Sequence, residues 1–276
     1  MSRSRNGTQN DRLTRTASSA RRSAASPRHP TNAAIPASEG PAKRQTKTGH
    51  RKADAQREFL GLVSHELKNP LAAIKGMTQL LRRRRRYDEA ALDAILSETR
   101  RLERLLNDLV DTSQVDAGRL MLRPAEMDLA ALVVAAAADA QVMTARHTVR
   151  AEVPKSPVLG LWDAQRLGQV LQNLLGNALK YAPDGTLIVA RLEPRVRKGE
   201  VCVRVVDEGP GVPPDELPHL FDRFYRTPAA QASVMQGLGL GLYISRMLVE
   251  AHGGRIWVEP AGCGTAFSFA LPGLKA

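Results

Sequence analysis

Apolar side chains recur in alternating steps of three and four over residues 53–86, at Leu60, Val63, Leu67, Pro70, Ile74, Met77 and Leu81. That period is the seam of a long amphipathic helix. After Tyr87 and Asp88 a second run over 89–117 repeats it with Leu92, Ile95, Thr99, Leu102, Leu106 and Leu109, and Gly118 stops it. Two long helices joined by so short a turn make an antiparallel hairpin. Leu71, Leu80, Leu96 and Leu105 widen the apolar stripe beyond one seam, so a lone hairpin would leave part of it wet. The expected solution is a symmetric homodimer closing a four-helix bundle.

Beyond Pro124 the period changes. Helical patterns over 128–146, 164–181 and 240–251, with a short one at 215–224, alternate with strand patterns over 147–153, 158–162, 186–192, 201–207, 255–259 and 265–271. Helices interleaved with a largely antiparallel sheet predict an α/β two-layer sandwich. Residues 1–52 have only Leu13 and Ile35 as large aliphatic side chains and read as a disordered basic tail. The expected organisation is a tail at 1–52, a helical hairpin at 53–119 and an α/β domain at 124–275.

Charge adds one qualification. The chain of 276 residues carries a formal net charge of +12, which invites a nucleic-acid or membrane-surface partner. Residues 1–50 hold +8 of it and the run Arg82–Arg86 another +5, so all other residues sum to −1. The excess therefore lies in a tail and one helix end, and no specific nucleic-acid partner is expected. Cys202 and Cys263 lack the spacing of a disulfide scaffold or a zinc module. The longest apolar run, Leu129–Ala138, is half of what a spanning helix needs, about 20 residues. A cytoplasmic protein without a membrane span is the expectation.

Several constellations can carry chemistry. In Val63-Ser64-His65-Glu66-Leu67-Lys68-Asn69-Pro70, His65 precedes a seam position and should project near the bundle surface. Glu66 can hold the proton of one ring nitrogen and leave the other nucleophilic, and Asn69 lies one turn on. On the second predicted helix of the α/β domain, Asn173 and Asn177 share a face with Lys180 close by. Amide oxygens suit Mg²⁺ and an ammonium suits phosphate. Asp207-Glu208-Gly209-Pro210-Gly211 puts a carboxylate at a strand end beside bare backbone, where a flat ring with an exocyclic amine can approach. Gly237-Leu238-Gly239-Leu240-Gly241 opens a helix, offering N–H groups to phosphates. Each motif alone also has a plain structural reading: a solvated helix flank, a glycine turn, or core packing for Phe221, Phe224 and Tyr225.

Their order and spacing resemble the sensor histidine kinases of two-component signalling, over residues 55 to 275. The segment looks like the histidine-phosphotransfer hairpin followed by the ATP-binding domain shared with gyrase, heat-shock chaperones and mismatch-repair ATPases. The resemblance implies ATP and Mg²⁺ as cofactors. It implies His65 as phospho-acceptor, Glu66 as adjacent acid/base, and Asn69 as the residue that positions water for phosphatase activity. Asn173 and Asn177 would serve Mg²⁺ and phosphates, with Lys180 and Tyr181 alongside. Asp207 would bind the adenine amine, Gly209 and Gly211 would shape its pocket, and Thr265 would close the final turn after Gly262-x-Gly264. Gly237, Gly239 and Gly241 would edge a lid over 212–236 that Phe221 and Phe224 anchor.

One departure chooses the reaction type. ATPases of this fold place a general-base Glu four residues before the Mg²⁺-binding Asn, and here that position is Asn173, which cannot take a proton. ATP should therefore wait for His65, with transfer resting on positioning and charge stabilisation. The expected function is autophosphorylation of His65 and onward transfer to an Asp of a separate response regulator. The rival is a catalytically silent dimeric adaptor or basic nucleic-acid-associated regulator.

Overall fold

The computed structural model describes residues 41–84, 87–194, 199–232, 237–262 and 264–273, with the backbone alone for 41–60 and Ala232. The chain divides into Met1–His50 and Arg51–Ala276. Of the first unit, 41–50 are described, as helix. Of the disordered tail expected at 1–52, residues 1–40 lie outside the described residues, as do Arg85, Arg86, Cys263 and the side chain of Leu60, whereas 41–52 are helix and so correct that expectation.

Helix α1 spans Pro41–Arg84 and α2 spans Glu89–Asp116. The first starts at Pro41, ahead of the apolar pattern's onset at Ala53. Proline suits a first helical turn, and the Lys, Arg, Gln and Ala that follow are good helix formers that show no apolar period. The helix runs through Pro70, whose missing N–H leaves the Glu66 carbonyl without its usual partner. Asp88 caps α2 by accepting the Ala91 N–H at 3.2 Å. At the other end Gly118 takes φ +63° and closes the last turn through Gly118 N–H to Val115 O.

The α/β domain follows the expected order with four changes, one of them an added short helix at Pro228–Ala232. Strand β1 (Ala125–Asp128) precedes α3 (Leu129–Val142), β2 (Thr148–Glu152) and β3 (Leu159–Trp162). Then come α4 (Ala164–Tyr181), β4 (Leu187–Pro194), β5 (Glu200–Asp207), α5 (Pro228–Ala232), α6 (Gly241–Ala251), β6 (Arg255–Ala261) and β7 (Gly264–Pro272). The sequence pattern does not reveal β1, because four residues without alternation become a strand only when β3 pairs with them. The helix expected at 215–224 shrinks to a 3₁₀ turn, Leu217–His219, since Pro213, Pro214 and Pro218 remove donors. Helix α3 stops short of 146 because Gln141 takes over its end, donating to the carbonyls of Thr144 and His147 and accepting the Val149 N–H.

Five strands form one sheet in the order β2-β4-β5-β7-β6, with β2 and β4 parallel and the other pairs antiparallel. Alternate residues Val201, Val203, Val205, Phe267, Phe269 and Leu271 point into a core shared with Leu167, Leu171 and Leu174 of α4 and Ile244 and Leu248 of α6. Burial of each such side chain contributes about 1.5–3 kcal/mol. Trp162 is buried at the end of this core and donates its indole N–H to the Pro272 carbonyl. The 119–124 linker is pinned where the Arg123 N–H meets Asp163 Oδ2 at 2.8 Å, while Asp163 Oδ1 caps α4 through Arg166 N. These hydrogen bonds and the nearby charges of His252 and Arg166 outweigh the upward pull of burial and hold the Asp163 carboxyl below its usual range.

Candidate functional site

The side chain of His65 on α1 is 70% exposed. Its Nδ1 faces the Asn69 amide at 3.4 Å and Glu66 Oε1 at 3.9 Å. Nδ1 is thus the nitrogen turned to its own helix, and Nε2 is the one left to solvent. A proton on Nδ1, accepted by Asn69 Oδ1 after an amide flip or by Glu66, leaves the Nε2 lone pair free. Glu66 itself is buried, and its Oε2 accepts Arg101 Nη2 of α2 at 3.0 Å. Arg101 in turn approaches Glu98 at 3.6 Å. The acid beside the imidazole is therefore anchored across the hairpin, a contact that local reading of His65-Glu66 does not disclose. Its sequence signal is an arginine next to the apolar seam of α2.

The second cluster gathers where α4, β5, β7 and the entry to α6 converge. Asn173 Nδ2 donates to the Gly241 carbonyl at 3.1 Å and to Ser245 Oγ at 3.3 Å. With its N–H groups spent on α6, Asn173 has its amide oxygen to offer. Ser245, fully buried, is a partner that the spacing of asparagines does not reveal. Asn177 lies one turn further on the same face of α4, and Lys180 Nζ sits 5.1 Å from the centre of the Tyr181 ring.

Asp207 ends β5 in a buried position, and its carboxylate receives the N–H groups of Gly209, at 2.8 Å, and Thr265. Burial raises its pKa, and the two N–H donors oppose that rise. A Cβ on Gly209 would meet Asp207 Oδ1 at 2.6 Å, so a side chain there would fill the carboxylate's approach. Gly211 takes φ +75°. The start of the segment expected to form a lid is tied to the glycine segment: Phe224 N–H donates to the Gly239 carbonyl. Phe224 is also the one non-glycine with positive φ among the described residues, at +65°. Gly239 has φ +67°, and a Cβ on it would lie 2.7 Å from the Tyr225 carbonyl. Phe221 is anchored edge-on to Phe267 with ring centres 6.5 Å apart. Gly237 is partly exposed at the segment's start, and Gly241 opens α6.

The structure pairs Asn173 with Gly241, Asp207 with Gly209 and Thr265, and Phe224 with Gly239. It leaves His65, Glu66 and Asn69 together on the hairpin, with the polar contacts of His65 among the described residues confined to its own helix. No group of three or more His, Cys, Asp or Glu that could hold a metal occurs among the described residues, nor is any described helix long and apolar enough to cross a membrane.

Residues 55–118 match the His Kinase A (phospho-acceptor) domain, and residues 162–275 match the histidine kinase-, DNA gyrase B- and HSP90-like ATPase family. The probable sensor histidine kinase TcrY of Mycobacterium tuberculosis is 37% identical over 219 residues, which cover 78% of this chain and 46% of TcrY. The solved Acinetobacter baumannii histidine kinase AdeS shares 25% identity, with a TM-score of 0.57 over 76% of this chain and 98% of that one. Full-length ShkA in complex with AMPPNP shares 29%, with a TM-score of 0.56 over 80% of this chain and 46% of that one. The chain spans about a third to a half of the length of the curated relatives it matches. A phospho-acceptor hairpin followed by an ATPase-type sandwich, matched in both halves and carried by relatives of one kind, places this chain in the sensor histidine kinase family.

Proposed function

We propose that the chain is the catalytic part of an ATP-dependent protein-histidine kinase, with the hairpin of 53–119 as phospho-acceptor and 124–275 as ATP-binding domain. The observation that carries this reading is the amide at position 173. Its N–H groups are committed to Gly241 O and Ser245 Oγ, and neither an amide nor a hydroxyl there can take a proton from attacking water. The nucleophile has to come from elsewhere, and the solvent-facing Nε2 of His65 fits.

Asp207 would accept the adenine amine, beside the gap that Gly209 leaves. The family match to an ATPase domain supports ATP, and ShkA holds a nucleotide analogue. The amide oxygens of Asn173 and Asn177 suit a hard Mg²⁺, which would bring most of its ligands as phosphate oxygens and water. When bound, Mg²⁺ would supply charge neutralisation at the phosphates. Lys180 would add a cation there, Tyr181 would flank it, and Gly237, Gly239 and Gly241 would border the phosphates. In the transfer, His65 Nε2 forms the bond to the γ-phosphorus, the bond to the bridging oxygen of ADP breaks, and the Nδ1 proton leaves toward Glu66. Asn69, one turn from His65, would orient a water for the hydrolysis of phosphohistidine. The final acceptor would be an Asp of a separate response regulator.

A homodimer is part of the proposal, which would make the chain a phosphoprotein in a four-helix bundle. Its support is an apolar stripe that the hairpin does not cover: Leu71, Leu80, Leu92, Leu96, Leu106 and Val110 are exposed. Incubation of the wild type with labelled ATP and Mg²⁺ should give phosphate that is lost in acid and kept in base, and His65→Gln should give none. Label that survives this substitution would overturn the assignment of the acceptor.

A further inference from the structure

Asp111 lies on the hairpin helix α2, with its side chain 7% exposed. A buried carboxylate is tolerated where its oxygens find donors. Both oxygens of Asp111 find them in the α/β domain: Oδ1 accepts Arg166 Nη1 at 2.7 Å, and Oδ2 accepts Gln169 Nε2 at 2.6 Å. Arg166 also bonds Gln169 Oε1 at 3.1 Å, so the two α4 side chains form one fork. A second link joins Asp116 at the end of α2 to Arg223 at the lid's start, at 2.7 Å. Neither link is visible in the apolar periodicity, and both put the acid on α2 and the base on the α/β domain.

The positions along α4 give the fork its meaning. Residues 166, 169, 173 and 177 follow one another in steps of three, four and four, which lays them along one stripe of the helix. The side chains that grip α2 therefore share a face with the two asparagines of the candidate phosphate site. Gln169 and Asn173 are one turn apart, about 6 Å along the axis. Docking on Asp111 thus sets the domain with its asparagine face along the end of α2. His65 projects from α1 into solvent instead, its polar contacts confined to its own helix.

We propose that Asp111 is a positioning residue: through Arg166 and Gln169 it parks the ATP-binding domain on the end of α2, and this clamp has to open before the nucleotide's phosphates meet His65. The inference rests on the kinase reading above. Asp108, one turn before Asp111, fits it, because its half-buried carboxyl is a burden on the closed arrangement that access of water on opening would relieve.

Two substitutions in the full-length chain test the clamp. Asp111→Asn keeps the shape but turns an amide donor toward Arg166 and Gln169, and Arg166→Gln removes the cation from the other side of the contact should the first variant fold poorly. Three quantities are read: the dissociation constant of a non-hydrolysable ATP analogue, deuterium uptake over 108–124 and 164–170, and the initial rate of phosphate incorporation at saturating ATP. The expected result is analogue affinity within about twofold of wild type, faster uptake in both segments, and an initial rate raised about threefold or more. Unchanged uptake would overturn the clamp. Faster uptake with an equal or lower rate would overturn the restraint and make the docked arrangement the transfer-competent one. A wild type that takes up no phosphate would overturn the kinase reading and the restraint together, while uptake would still decide the docking contact.

Discussion

Asp207 shows how burial and two backbone donors compete over one carboxylate. Desolvation raises its pKa, and the N–H groups of Gly209 and Thr265 hold back that rise. The charged form is the one that accepts an amine's hydrogen bonds well, so protonation on acidification removes the acceptor. With the pKa raised, that loss begins nearer to neutrality than for an ordinary aspartate. Affinity for an ATP analogue should therefore weaken as pH falls from 8 to 4. Asp207→Asn should bind about tenfold or more weakly at pH 8, since a donor amide then faces a donor amine. Equilibrium binding across that range checks both, and a flat wild-type profile would refute the role. Gly239 makes a different local point, because its positive φ and the closeness of the Tyr225 carbonyl leave no room for a side chain.

Helix α2 serves two surfaces at once, and its carboxylates carry the cost. Asp108 has its pKa raised to about 6, first by burial and next by the charge of Asp111, against the opposing Arg104, with Arg166 of α4 paired to that same Asp111. A folded pKa above the unfolded value means that the native state binds the proton more tightly. Through this group, stability is fullest below about pH 4 and falls as pH rises to about 6. Asp108→Asn should then stabilise the protein at pH 8 by about 1–2 kcal/mol, allowing for partial solvent screening, and by little at pH 4. Thermal unfolding at the two pH values measures the difference. A gain of equal size at both would mean that packing, not charge, is responsible.

Across the whole chain, the apolar residues that the hairpin leaves exposed need a partner surface. Leu96 and Leu106 are each 52% exposed and lie on the proposed dimer seam. Replacing both by Lys should convert a dimer to a monomer in light scattering at micromolar concentration, with little effect on analogue binding by the α/β domain, since neither leucine packs against its core. A variant that remains dimeric would place the seam elsewhere. The +12 net charge fits the same division. Its excess is confined to the first 50 residues and one helix end, apart from the sandwich.

Much of this was legible in residue order, because it depends on local periodicity and on motifs that are short in sequence. The steps of three and four predicted α1 and α2, α4 matched its expected limits of 164 and 181, and six of the seven strands fell where alternation put them. The spacing of Asn173 and Asn177, the carboxylate and glycines at Asp207, and the His65 segment are likewise local. What needed the folded chain is every feature whose partner is distant. Strand β1 exists only through β3, and Glu66 meets an arginine 35 positions away. Ser245 fixes the Asn173 amide from 72 positions away, and Asp111 finds Arg166 from 55. A hydrogen bond acts over about 3 Å, so such pairings are set by how helices and strands pack together, and no period in the sequence records them.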